Sequence, residues 1–417
     1  MRQSNRNAVT WTALVRRLED AGITTLPDTR DPRGQRIAHP ALMYALALGM
    51  VSAARSLRAV EELTGSLNRR VRKKTRVRGR ISDTKLRDAH RGLRYKSLRK
   101  CLHRLVKAEH ARGNLEPVRL PFGVAAIDGK GLGRVPSWEH PDIQETSSKT
   151  EGRYGLARVH RATLVSSSAT VTIDQRPIPG ETNEIGALPD FLRELFATYG
   201  RTNLFEVIVA DAGNCSMAVI RQIAEAGYGY FLRIKMNHGE LHAEAVRQLG
   251  GDDSPEFEVV LRERGATVTY RLWRTQLEGG WLDWESARQL FRVERTVDNG
   301  SGEPSVGNRY YVSNLHKGKL ATAEKWLKLV KLYWRCENEQ HWTSDVFFDE
   351  DARRTPWTQD PEALYVASYF RVIALNILAV LRAMCRRGHT TKLLEWSEVL
   401  LRVHIALRET ERQPAFV

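Results

Sequence analysis

The stretch LFEVIVADAGN, residues 204–214, decides the fold. A run of apolar, largely β-branched residues stops at Asp211, and Gly213 follows. Such a short apolar run bounded by turn residues predicts a buried strand. A second stretch has the same form: FGVAAIDGK, residues 122–130, ends its apolar run at Asp128, with Gly129 next. A carboxylate at the C-terminal end of a buried strand is rigidly held and open to solvent. Two such strands, adjacent in one sheet, bring two carboxylates together. Like charges at that range resist joint ionisation unless a divalent cation sits between them. Oxygen donors of this kind suit Mg²⁺ or Mn²⁺. The competing reading has each Asp merely capping the turn that follows it.

Around these two stretches lie further elements. RATLVSSSATVTIDQRPI (161–178) alternates like two strands joined by a polar turn. ALPDFLRELFATYG (187–200) and SMAVIRQIAEAG (216–227) read as helices closed by glycine, and YGYFLRIKMNHG (228–239) as a strand. This order predicts an α/β fold, a mixed sheet flanked by helices. Residues from about 240 to 315 interrupt it with EFEVVLRERGATVTYRLWRTQL (256–277) and FRVERTVDNGSGEPSVGNRYYVSNL (291–315), two hairpins that read as a β-rich insert.

A helical pattern resumes near Thr322 and runs into YWRCENEQHWTSDVFFDED, residues 333–351, where a basic chain concentrates six acids. Trp326, Leu329, Val330 and Tyr333 form one apolar face. Eleven residues separate Trp326 from Glu337, a net rotation of about 20°, so Glu337 continues the core-facing stripe. Glu339 turns about 160° away from Glu337, toward solvent. Asp345, Asp349, Glu350 and Asp351 fall off the stripe or beyond the helix. His341 and Ser344 share the Glu337 face as supporting residues, and Arg335 lies on its flank, within reach of a phosphate. The competing reading makes Glu337 a surface residue through a shift of helix register.

The 417 residues carry a net charge of +16 and a pI near 9.8, a balance that favours a polyanionic partner, nucleic acid first. Residues 1–118 read as mostly helical. Within them NRRVRKKTRVRGR (68–80) holds eight basic residues in thirteen, flanked by amphipathic helices, a pattern for phosphate contact rather than a merely solvated face. Cys101, Cys215, Cys336 and Cys385 are too scattered for a zinc site or a disulfide framework. The apolar runs at 41–54 and 372–381 are too short to span a membrane, and no signal segment opens the chain, so a cytosolic protein is expected.

These stretches resemble the DDE transposases of bacterial insertion sequences, in the ISAs-type branch also called H-repeat-associated. The resemblance covers nearly the whole chain. It rests on DPRGQRIAHPALMYALALGMVSAARSLRAV (31–60), AAIDGKGLGR (125–134), ETNEIGALPDFL (181–192), VIVADAGN (207–214), LRIKMNHGEL (232–241), YYVSNL (310–315) and, most specifically, ENEQHWTSDVFFDED (337–351). It implies an RNase H-like core in which Asp128, Asp211 and Glu337 are catalytic and bind two Mg²⁺ ions, with Mn²⁺ as a substitute. It places the β-rich insert ahead of the last catalytic helix and a helical DNA-binding domain at the N-terminus. The expected boundaries are 1–118, 119–239, 240–318 and 319–417. Expected DNA contacts are Arg69, Arg70, Arg72, Lys73, Lys74 and Arg76 in the basic run, then Lys130, Lys235, Asn237, His238, Arg335 and His341. The sequence departs from the wider group's Tyr, Arg and Lys around the Glu, where Val330, Tyr333 and Ser344 stand.

The implied activity is cleavage of transposon ends and strand transfer to target DNA, on double-stranded terminal inverted repeats, by a dimer or larger assembly. Two other readings compete: a sequence-specific DNA-binding protein that has lost catalysis, and a nuclease without strand transfer.

Overall fold

The computed structural model describes residues 8–408 except 137–139, 151, 252, 264, 278–283, 317, 319, 321, 351–356, 358–359 and 386–392. Asp351 therefore lies outside the described residues.

The N-terminal region is helical: α1 (Trp11–Ala21), α2 (His39–Val51), α3 (Leu57–Ser66), α4 (Arg69–Thr75), α5 (Asp83–Arg91) and α6 (Tyr95–Ala111). Side chains of Thr10, Ser56 and Asn68 accept the free backbone N–H groups at the starts of α1, α3 and α4. Helix α2 is apolar all round and buried along nearly its whole length, as a central helix must be. The basic run forms α4, which turns Val71 and Thr75 inward and Arg69, Arg70, Lys73 and Lys74 outward.

The remainder runs β1 (Val124–Val135), β2 (Ile143–Ser148), β3 (Gly152–Leu164), β4 (Val171–Pro177), α7 (Glu184–Tyr199), β5 (Val207–Ala210), α8 (Met217–Glu225), β6 (Gly229–Ile234), α9 (Gly239–Leu249), β7 (Phe257–Glu263), β8 (Ala266–Gln276), β9 (Gln289–Asp298) and β10 (Ser305–Ser313). It closes with α10 (Ala323–Arg335), a wide π-helical turn (Cys336–His341), α11 (Trp342–Phe348), α12 (Pro361–Met384) and α13 (Trp396–Leu407). All the strands form one sheet in the order β2-β3-β1-β5-β6-β10-β9-β8-β7, with β4 beside β2 on the outer edge of β3. Strands β1, β5 and β6 are mutually parallel, and the other pairings are antiparallel. A mixed sheet flanked by helices, consistent with an RNase H-like core, is what the sequence predicts.

Two features differ from expectation. The hairpins read as an insert join the central sheet: β10 pairs with β6 from Tyr310↔Ile234 to Ser313↔Phe231, and β9, β8 and β7 continue outward. The apolar run at 372–381 is part of a longer helix, α12. It has the length and composition of a membrane span, yet its whole apolar window is buried inside the protein.

The sheet has two apolar faces. Ala125, Ile127, Ile208 and Ala210 belong to the core shared with α7, α8, α12 and the N-terminal helices. Val124, Ala126, Val207 and Val209 face the other way, into a cluster with Trp326, Leu329 and Val330 of α10. Alternation along a strand sets this division, and it also sets where the next residue of each strand points.

Candidate active site

Strands β1 and β5 pair in register from Val124↔Val207 to Ile127↔Ala210. Asp128 and Asp211 each take the next position, at the same level on neighbouring strands about 4.8 Å apart. By parity with Ala126 and Val209, both project to the face that α10 covers. The chain turns away after Asp211 through Ala212–Asn214, whereas β1 continues past Asp128, which pairs with Arg161 of β3. The Gly129 N–H donates to Asp128 Oδ1 at 3.0 Å.

Helix α10 carries Tyr333, and the π-helical turn that follows it carries Glu337, over this face of the sheet. Burial, then the charge of Asp128, keeps the Tyr333 hydroxyl protonated, well above its usual range. Burial, then the charges of Glu337 and Glu184, push Asp128 up to about 7. Burial, then Asp211, raise Glu337 above the usual carboxylate range. Asp211 has cations beside it: Arg233 Nη1 is 3.4 Å from Oδ1, and Lys235 Nζ is 3.8 Å from Oδ2. His341 is buried with Nδ1 3.6 Å from Asp128 Oδ2, and its Nε2 finds no hydrogen-bond partner among the described residues. Burial, followed by the charges of Arg161 and Lys130, holds His341 down to about 3, so it is neutral at pH 7.

Among the described residues, no three His, Cys, Asp or Glu side chains are gathered into a ready-made metal cage. The donor chemistry nevertheless fits a hard divalent cation. Asp128 and Glu337 each have their ionisation opposed by burial and by a neighbouring carboxylate, Glu337 for Asp128 and Asp211 for Glu337. A cation among them relieves that opposition.

The other predicted residues separate into two groups. Arg69, Arg70, Lys73 and Arg76 are exposed. Lys74 pairs with Glu19 at 2.6 Å, and Arg72 is half-buried, donating to the Leu67 and Gly65 carbonyls at 2.6 Å each. Lys235 is exposed beside Asp211, Asn237 is exposed two residues further on, and His238 pins their loop by its contact with the Cys215 carbonyl at 3.0 Å. Three expectations need correcting. Arg335 is buried, and its guanidinium is taken up by Glu339 and the carbonyls of Val165 and Ser167. Lys130 is buried against Asp345. Neutral, buried His341 offers no charge to a phosphate.

Two acids also lie elsewhere than helical periodicity puts them. Glu339 is held by Arg335 and Thr170 rather than free in solvent. Asp345 faces β1. The π-helical turn inserts about one extra residue, so position +8 from Glu337 takes the orientation that +7 has in a regular helix. Ser344, which periodicity put on the stripe, turns instead to Glu350 in the interior.

The family profile described as "Transposase DDE domain" matches residues 121–377, more than half of the chain. The chain belongs to the DDE transposase family. YbfL of Escherichia coli K12 is 25% identical over 280 residues, covering 63% of this chain and 67% of that protein. YhhI of the same strain, whose name describes it as H repeat-associated, is 24% identical over the same shares. A cryo-EM structure of the piggyBac transposase synaptic complex with hairpin DNA overlaps 95% of this chain and 77% of that one, at 11% identity and a TM-score of 0.44.

Within this DDE domain, sequence reasoning passed over three residues. Arg233 shares the strand parity of Phe231, which lies in the α10-facing cluster, so alternation along β6 was the available signal. Tyr333 was counted as part of the apolar face and as a departure from the wider group's pattern, not as a neighbour of the carboxylates. Glu184, the first residue of α7, rests its carboxylate against Gly129; a Cβ there would lie 2.4 Å from Oε1 and 2.6 Å from Oε2. Nothing local to Glu184 signals that approach.

Proposed function

We propose that this chain is a transposase of bacterial insertion sequences, of the H-repeat-associated branch. It cleaves the phosphodiester bond at a transposon end and joins the freed 3′-hydroxyl to target DNA. The observation that carries this reading is the equivalent placement of Asp128 and Asp211, each one position beyond the stretch over which the parallel strands β1 and β5 pair, on the face crossed by α10.

Asp128, Asp211 and Glu337 would hold two Mg²⁺ ions, with Mn²⁺ able to replace them. When bound, such ions lower the pKa of an attacking water or hydroxyl and stabilise the leaving oxygen. The chain's own residues supply placement. Tyr333, kept protonated by burial and by the Asp128 charge, would offer a hydroxyl donor to these carboxylates. Arg233 and Lys235 stand beside Asp211, where their charge meets a phosphate entering the site, and Asn237 lies on the same loop. No side chain need act as a general base; the protein's contribution is orientation.

Residues 1–118 would bind the terminal inverted repeats, with the exposed face of α4 following the phosphate backbone. Residues 119–239 and 319–417 would form the catalytic core, and 240–318 its extension. Cutting and joining two ends in concert calls for at least a dimer on DNA, in the bacterial cytoplasm.

The test is a labelled transposon-end duplex incubated with target DNA and Mg²⁺. Wild type is expected to give joined products. Asp211→Asn is expected to bind the end with unchanged affinity and cut nothing. Binding without any cutting by wild type would mark a non-catalytic DNA-binding descendant, and nicks without joined products a nuclease. Loss of binding together with cutting in Asp211→Asn would remove Asp211 from the site.

A further inference from the structure

We infer that Lys130 and Asp345 form a brace that sets the separation of Asp128 and Glu337, making them positioning residues of the reaction centre rather than DNA contacts. The inference rests on the reading of that centre given above.

Lys130 follows Asp128 by two residues on β1. The register shift in this strand comes only later, between Gly131 and Gly133, so Asp128 and Lys130 project from the same face. Asp345 follows Glu337 on the helix, and the wide turn brings it round to the same strand. Asp128 with Glu337, and Lys130 with Asp345, are thus successive rungs between one strand and one helix. His341 stands between them, beside Asp128. The second rung is fully formed: Lys130 Nζ lies 2.6 Å from Oδ1 and 2.9 Å from Oδ2 of Asp345. The lysine is 8% exposed at its side chain and Asp345 is 27% exposed.

The rung is tied to the rest of the core. Glu350, wholly buried, lies 3.9 Å from Lys130 Nζ. It takes both terminal nitrogens of Arg161, at 2.7 and 2.6 Å, and Arg371 at 3.2 Å. Arg161 is the cross-strand partner of Asp128. An amine held by one carboxylate and beside a second, with its stem enclosed, has no free reach to a DNA backbone. Buried ion pairs add little net stability, but removing one partner is costly, and satisfied networks fix a single arrangement. Chemistry that depends on orientation can lose about 100-fold from a displacement of about 1 Å.

The test uses the full-length protein with Lys130→Met, Asp345→Leu and the double variant. Readouts are Mn²⁺ binding by calorimetry without DNA, thermal melting, transposon-end affinity across salt concentrations, and cleavage. In Lys130→Met, Mn²⁺ affinity and cleavage are each expected to fall at least tenfold, while DNA affinity and its salt slope stay at wild-type values. The double variant, which removes both members of the pair, is expected to recover melting temperature relative to Lys130→Met but not the cleavage. Recovery of cleavage along with melting would make the pair merely structural and overturn the brace. A reduced salt slope in Lys130→Met would restore it as a DNA contact. Asp128→Asn and Glu337→Gln separate the two levels of inference. If they leave Mn²⁺ binding and cleavage intact, the reaction centre itself is wrong. If they abolish both while the Lys130 and Asp345 variants change neither, the brace alone fails.

Discussion

Arg335 holds Glu339, four residues on, through two hydrogen bonds of 2.7 Å, Nε to Oε1 and Nη2 to Oε2. The pair spans the start of the π-helical turn, and the same guanidinium donates to the carbonyls of Val165 and Ser167 beyond β3. Arg335 therefore fastens the Glu337 helix to the end of a core strand. Arg335→Ala strands two buried carbonyls and leaves Glu339 without its cation. A loss of about 2–3 kcal/mol in urea unfolding is expected, reduced from the fully buried case because Glu339 is partly exposed. Unchanged stability with weakened DNA binding would instead make Arg335 a phosphate contact.

Two glycines on or beside β1 should respond to different extents to a methyl group. A Cβ at Gly123 would lie 2.2 Å from the Leu204 carbonyl oxygen and 2.7 Å from the Phe205 Cα, both backbone atoms. Gly123→Ala must push β1 and β5 apart at their start and is expected to cost about 1–3 kcal/mol. At Gly129 the obstruction is the free end of the Glu184 side chain, which can swing aside. Gly129→Ala is expected to cost under about 1 kcal/mol. Equal losses in denaturant melts would contradict the contrast.

The exposed face of α4 should report on DNA through salt. Replacing Arg69, Arg70 and Lys73 by Ala is expected to weaken end binding. The slope of log affinity against log salt should become shallower by about 0.9 for each phosphate no longer neutralised. Lys74→Ala should matter less, because its amine already pairs with Glu19. An unchanged slope in the triple variant would take α4 out of the interface.

His90 should make the fold acid-sensitive. It is wholly buried, edge-on to Trp357 with ring centroids 5.8 Å apart, and burial pushes it down to about 4. An unfolded histidine titrates near 6.5. Between those values the unfolded chain holds a proton that the folded chain does not, so stability falls as pH drops from about 6.5 toward 4. The contribution is on the order of 3 kcal/mol across that window. His160, also held down to about 4 by burial, adds in the same sense. His90→Leu is expected to show a smaller difference between urea midpoints at pH 7 and pH 5 than wild type shows.

What was legible in the sequence was local. The runs ending at Asp128 and Asp211 marked their strands because short apolar stretches stopped by a carboxylate and glycine have few other solutions. The stripe on α10 was legible as far as Cys336, where regular helical spacing holds. Beyond it the π-helical turn breaks the period, and neither the engagement of Glu339 nor the orientation of Asp345 could be read from a 3.6-residue repeat. Strand β2, IQETSS, carries almost no apolar signal and went unseen. The hairpins β7–β8 and β9–β10 were recognisable, but their attachment to β6 is a pairing between distant segments. Charge misled for the same reason: Lys130 looked available because its partner Asp345 is 215 residues away.

The continuity of the sheet through β10 means that residues 257–313 are no detachable module. Excising them would bare the hydrogen-bonding edge of β6, one strand away from Asp211, and exposed edges of that kind recruit other chains into aggregates. Shortened derivatives of this protein would have to cap β6 with a substitute strand to stay soluble.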